Sequence, residues 1–176
     1  MKIIFAGVFT IMLLTAPVLR GQGKEARTTI ILVRHAEKDT MKTDPPLTAT
    51  GRARARLLAR ILGLSGAHST HSTQYRRTVE TVAPLDSALG IANEVIPANP
   101  DSLEAYASAL VGHLLTIHKG ETTVVSSHSN VLPMLIRAFG VTTPVMIDDR
   151  DYDNLFVITV DGRAEPAFAH LQMGLE

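Results

Sequence analysis

Three short stretches of this chain together supply cations and imidazoles in a way that suits work on an anion. The first is Ile30-Ile31-Leu32-Val33-Arg34-His35-Ala36-Glu37-Lys38, where four apolar residues run straight into Arg-His. The second is Ser72-Thr73-Gln74-Tyr75-Arg76-Arg77-Thr78, which sets hydroxyls and two arginines at the opening of a helical pattern. Free backbone N–H groups at a helix start add to such an anion site. The third is Ser127-His128-Ser129-Asn130, again directly after a strand-like run. A guanidinium holds an anion through a rigid fork of donors. An imidazole beside it is a nucleophile, a base or a ligand. A single Arg-His pair is usually solvated surface, so the reading depends on the three stretches occurring together.

The elements that must position these residues follow from the apolar pattern. The run ending in Val33 reads as a buried central strand, about Thr29 to Val33. A polar loop, Ala36 to Pro46, follows and ends in Pro45-Pro46. Thr48 is a plausible N-cap for a helix running to about Leu64, with Leu57, Leu58, Ile61 and Leu62 on one face. Its arginines 52, 54, 56 and 60 lie largely elsewhere and read as a solvated face. Gly66 to Thr73 must supply a strand, although it is unusually polar. Tyr75 to Leu89 is the second helix, and Val95-Ile96 a short strand. Asp101-Ser102-Leu103-Glu104 has capping-box spacing before a third amphipathic helix. Thr122 to Ser126 is a strand, and about Val131 to Phe139 a helix with Pro133 in its first turn. Leu155–Val160 and Ala167–Leu171 form a hairpin around Asp161-Gly162, and Pro166 marks the last strand as an edge.

The element order β-α-β-α-β-α-β-α-β-β implies a three-layer α/β/α sandwich on a mostly parallel sheet with an antiparallel edge hairpin. In such sheets, ligands bind beyond the carboxyl ends of the strands. Arg34, His35, Arg77 and His128 all fall at strand-to-helix junctions, so they converge on one edge. Two guanidiniums and two imidazoles around one small site suit a phosphoryl group.

Composition narrows the alternatives. A length of 176 residues favours one domain with a sound core. Formal net charge is zero, so bulk attraction to nucleic acid or an anionic membrane is not expected. The chain has no cysteine, which excludes disulfides, thiol catalysis and cysteine-ligated zinc. His68 and His71 invite a metal-ligand reading, but no acidic or cysteine partner stands at matching spacing, so no metal site is expected there. Met1-Lys2, the apolar run Ile3 to Leu19, and Gly21-Gln22-Gly23 have the layout of a secretory signal peptide. The alternative is an uncleaved membrane anchor, at the short end of what spans a bilayer. We expect a leader over 1–23, a domain over 24–176, and a secreted or periplasmic address. Removing the leader takes Lys2 and Arg20 and leaves 15 basic residues against 17 acidic ones, a formal charge of −2.

With these residues in view, the sequence resembles the histidine phosphatase superfamily, the phosphoglycerate mutase-like proteins. Arg34-His35-Ala36-Glu37 is similar to the family's Arg-His-Gly motif, and Leu47-Thr48 with Gly51 to its Leu-Thr-x-x-Gly element. Ser72 to Thr81 looks like its Ser-x-x-x-x-Arg-Ala-x-Gln-Thr segment, with Arg77 on the motif's arginine. Val124 to Ser129 resembles the second-histidine motif. The short length and Tyr152-Asp153-Asn154-Leu155-Phe156 look most like the small branch that includes phosphohistidine phosphatases.

The resemblance implies a phosphoglycerate mutase-like fold and a phosphoric monoester hydrolase. His35 would attack phosphorus and become phosphohistidine. Arg34 and Arg77 would neutralise the phosphoryl oxygens. His128, protonated by anionic surroundings, would donate a further hydrogen bond. Neither a metal nor another cofactor is implied. Lys38 and Ser129 are candidate substrate contacts. Ala36 replaces the usual Gly, and Met41 stands near the place of the mutase-type Asn. Larger relatives take their general acid from the segment after the second helix, which makes Asp101 and Glu104 the candidates; their capping-box spacing explains both without chemistry. Some small relatives work without a dedicated acid, on good leaving groups. A phosphoglycerate mutase-type phosphotransferase and a non-catalytic phospho-ligand binder on the same fold are the competing functions. The expected partner is a small phosphorylated substrate, with membrane contact only through an uncleaved leader; the sequence fixes neither the substrate nor the oligomeric state.

Overall fold

The computed structural model describes residues 26–40, 43–162 and 165–175. The expected leader over 1–23 and Met41 lie outside these. The elements are β1 (Thr28–Arg34), α1 (Ala49–Leu62), β2 (Ala67–Ser72), α2 (Arg76–Leu89), β3 (Asn93–Val95), α3 (Leu103–Ile117), β4 (Thr122–Ser127), α4 (Leu132–Ala138), β5 (Asn154–Val160) and β6 (Ala167–Gln172). Among the described residues, no helix is long and apolar enough to cross a membrane.

The strands form one sheet in the order β3-β2-β4-β1-β5-β6. The first four in that order run parallel, and the hairpin β5-β6 lies antiparallel along the β1 edge. This is the expected α/β/α sandwich. Side chains alternate across a strand, and β1 divides them between two cores. Ile30 and Leu32 join Leu110 and Leu114 of α3 and Leu132, Leu135 and Ile136 of α4. Ile31 and Val33 join Leu58 and Leu62 of α1 and Val82 and Leu85 of α2. Both faces are therefore covered, which is why β1 reads as an unbroken apolar run.

The polar strand β2 is buried because its hydroxyls find partners. Thr70 Oγ1 donates to Asp86 Oδ1 at 2.5 Å, and Ser69 and Thr123 share a 2.9 Å hydrogen bond. Asn93 donates to Ser72 Oγ at 2.9 Å.

Three local expectations are corrected. The capping box does not form: Asn99 caps a 3₁₀ turn over Pro100–Ser102, and α3 begins at Leu103 with no side-chain cap. β3 lies at Asn93–Val95, ahead of the expected Val95-Ile96, because Asn93, Glu94 and Val95 match β2 in register. The expected hairpin forms, with β5 and β6 paired antiparallel from Asn154–Gln172 to Thr159–Ala167. In α1, Ile61 faces outward, and Arg54 is not part of a solvated face: it forms a 2.7 Å ion pair with Glu37 and donates to the Met173 carbonyl.

Candidate active site

β2, β4 and β1 lie side by side and end level, with Arg34 opposite Ser127 and Ser72 opposite Ser126. The turns that follow bring Arg34, His35, Arg77 and His128 around one cavity of 290 Å³. Lys38 and Ser129 line the same cavity. So the four predicted residues and both candidate contacts meet. Asp101 and Glu104 do not line it: both are exposed, and Glu104 pairs with Arg137 at 2.7 Å. Their neighbours Pro100 and Leu103 form that wall instead, and no carboxylate among the described residues lines the cavity.

His35 is held from both sides. Its backbone N–H donates to the Ser127 carbonyl at 2.8 Å, tying β1 to β4. Its ring Nδ1 lies 2.8 Å from the Ala36 carbonyl. A carbonyl only accepts, so Nδ1 carries the proton and Nε2 keeps its lone pair. The backbone N–H of Ala36 donates to Thr81 Oγ1 of α2 at 2.9 Å. Ala36 is fully buried and has no positive φ, so the methyl group is accommodated where the family has Gly.

The arginines are braced by backbone and rings. Arg34 donates to the Asp148 carbonyl at 2.7 Å and stacks on Tyr152, with 4.2 Å to the ring centroid. Arg77 stacks on Tyr75 at 4.3 Å, with Asp44 4.0 Å away. Such cation–π contacts fix a guanidinium without consuming its donors. The Nε atoms of both arginines are buried without a hydrogen-bond partner among the described residues. Buried donors normally have partners, and an anion in the cavity would supply them.

His128 closes the group, 5.4 Å from His35 between ring centroids. Arg77 donates to its Nδ1 at 3.5 Å, so Nε2 carries the proton and donates to Thr73 Oγ1 at 3.0 Å. Its protonation corrects an expectation. The side chains around the cavity are cationic, not anionic. Burial lowers His128 to about 4, and Arg77 and Arg34 push the same way. Burial likewise lowers His35 to about 3, helped by the neighbouring cations and opposed by the Ala36 hydrogen bond.

Tyr75, Tyr152 and Thr73 are functional neighbours to which sequence reasoning assigned no role. Each stood in a stretch singled out for its motif, but the stack of Arg34 on Tyr152 and the bond between Thr73 and His128 join residues far apart in sequence and have no local pattern. Of the two histidines considered as metal ligands, His68 is exposed. His71 is buried, its ring held neutral because burial lowers it to about 4, and it does have an acidic neighbour: Glu94, its register partner on β3.

Residues 30–100 match the family model described as histidine phosphatase superfamily (branch 1). The match covers less than half of the chain. The matched segment includes Arg34, His35 and Arg77. In fold the chain is similar to YhfR of Bacillus stearothermophilus, with a TM-score of 0.67 and 20% identity, covering 81% of this chain and 95% of that one. It is similar to the protein histidine phosphatase SixA complexed with tungstate, at 0.63 and 19% identity, covering 82% and 96%. It is also similar to phosphoserine phosphatase of Entamoeba histolytica in complex with 3-phosphoglyceric acid, at 0.64 and 14%, covering 84% and 98%. At these identities the likeness is one of fold. A comparison with curated protein sequences gives no significant match.

Proposed function

We propose that this chain hydrolyses phosphomonoesters in two steps through a phosphohistidine on His35. The observation that carries the reading is the Nδ1–Ala36 hydrogen bond, which leaves the Nε2 lone pair free beside two guanidiniums. Nε2 attacks phosphorus in line with the leaving oxygen, and the P–O bond breaks as the N–P bond forms. Arg34 and Arg77 hold the equatorial oxygens and balance their charge throughout. Water then attacks phosphorus from the vacated side; the N–P bond breaks, inorganic phosphate leaves, and His35 returns to its neutral form. His128 takes up a proton when the dianion enters and donates a charged hydrogen bond to it.

With no carboxylate among the described lining residues, the leaving group departs without a dedicated acid. Rate therefore depends steeply on leaving-group acidity. Aryl phosphates, acyl phosphates and phosphoramidates suit the site better than alkyl esters. Lys38 at the cavity contributes a cation that the substrate's own anionic groups can meet. The phosphoserine phosphatase of Entamoeba histolytica is complexed with 3-phosphoglyceric acid, which fits a small phosphorylated substrate. The leader over 1–23 supports export, and N-terminal sequencing of the secreted or periplasmic form tests it.

The test is hydrolysis of p-nitrophenyl phosphate by residues 24–176 in EDTA, beside His35→Ala. Turnover that is lost in the variant supports the reading. A folded protein that binds phosphate but turns over no faster than His35→Ala would be a phospho-ligand binder.

A further inference from the structure

We propose that His71, Glu94, His113 and His118 form a binding site for a single divalent cation of zinc type, separate from the phosphoryl cavity. None of the four lines that cavity. They come from three elements: His71 from β2, Glu94 from β3, His113 from α3, and His118 from the residue that caps it. One donor atom from each lies within 4.8 Å of all the others. Three imidazoles and a carboxylate are a donor set that suits zinc.

The pairwise distances are near what such an ion needs. Zinc–ligand bonds of about 2.0–2.1 Å in a tetrahedron put donor atoms roughly 3.3–3.4 Å apart. His71 Nδ1 lies 3.3 Å from Glu94 Oε2, and His113 Nε2 lies 3.6 Å from the same oxygen. The Nε2 atoms of His71 and His118 are 3.2 Å apart; an imidazole gives one nitrogen to one ion, so this spacing applies when His71 binds through Nε2 and the Glu94 spacing when it binds through Nδ1.

The polar groups are unsatisfied as they stand. His118 Nδ1 lies 2.9 Å from Glu121 Oε2, which only accepts, so Nδ1 carries the proton and Nε2 presents a lone pair. His71 Nε2 must therefore donate to it. His71 Nδ1 lies 3.3 Å from the Glu94 carboxylate without a hydrogen bond to it. His71 is 1% exposed, and its Nδ1 has no hydrogen-bond partner among the described residues; nor has His113 Nε2, which is also buried. Buried polar atoms left this way are costly. A cation at this point satisfies both nitrogens and the carboxylate at once. The Glu121–His118 hydrogen bond orients a ligand imidazole as outer partners do in metal sites. A cavity of 270 Å³ lined by Glu94, Ile96, Tyr106 and His113 gives an ion a route in. The ion would fasten the end of α3 to the β2–β3 edge of the sheet.

The test is titration of the full chain with Zn²⁺ by calorimetry and with Co²⁺ by visible absorption. The expected result is one ion per chain with a dissociation constant of about micromolar or tighter, and Co²⁺ bands of four-coordination. His113→Gln and Glu94→Gln, both on partly exposed side chains, weaken binding about tenfold or more while melting like the parent without metal. His35→Ala binds as the parent does. Absence of saturable binding, equal affinity in the parent and both variants, or loss of binding in His35→Ala would overturn the proposal.

Discussion

His35 and His128 are neutral in the empty cavity for the same reasons: burial disfavours a second kind of cation, and two arginines already occupy the space. Filling the cavity with a dianion reverses the sign for His128, whose ring faces Arg77 on one side and Thr73 on the other. Binding of tungstate near neutral pH is therefore predicted to draw in up to one proton per chain. Calorimetry in buffers of different ionisation enthalpy measures that uptake. His128→Gln should abolish it while His35→Ala leaves part of it, and a buffer-independent enthalpy in the parent would contradict the assignment. These four residues were legible in the sequence because each sits in a local pattern of strand, polar turn and helix. What holds them was not. The Nδ1 contact of His35, the stack of Arg34 on Tyr152 and the bond from Ala36 to Thr81 join residues 1, 118 and 45 apart in sequence, and only the first is local.

At the scale of elements, the turn after β1 is set by its contact with α1. Thr48 accepts from Gly51 N–H at 3.1 Å as the N-cap, and its own backbone N–H donates to the Glu37 carbonyl at 2.9 Å. Gly51 is required by close approach: a Cβ there would sit 2.1 Å from the Glu37 carbonyl oxygen. Gly51→Ala must push the turn away from the helix, two residues beyond His35. The predicted cost is about 1–3 kcal/mol in stability together with a lower kcat, read from the urea midpoint and p-nitrophenyl phosphate turnover. An unchanged kcat would mean that the turn does not set the position of His35. The helices and β1 were legible from their apolar periodicity. The misread elements share a cause: Asp101 to Glu104 and the β3 boundary are decided by register and tertiary contact, which short-range signals do not carry. The polar β2 was recognisable only from the alternation of elements, because its burial depends on partners on α2, β3 and β4.

For the molecule as a whole, the cavity costs stability in acid. The unfolded imidazoles titrate near 6.5, whereas His35 and His128 titrate at about 3 and about 4 in the fold. Between these values the unfolded chain binds more protons, so stability is full above about pH 6.5 and falls as the pH is lowered. Each ring contributes a slope of about 1.4 kcal/mol per pH unit within that window. The urea midpoint at pH 5 should lie well below that at pH 7, and His128→Gln should reduce the difference. The same burial that produces this cost keeps the nucleophile unprotonated. That makes the most direct measurement a rapid-quench reaction with p-nitrophenyl phosphate, followed by peptide mass spectrometry under alkaline conditions that preserve phosphoramidates. The account predicts one acid-labile phosphoryl group on His35, formed before inorganic phosphate is released and absent from His35→Ala. Turnover with no phosphorylated His35 at any time, or a phosphoryl group on another residue, would contradict it.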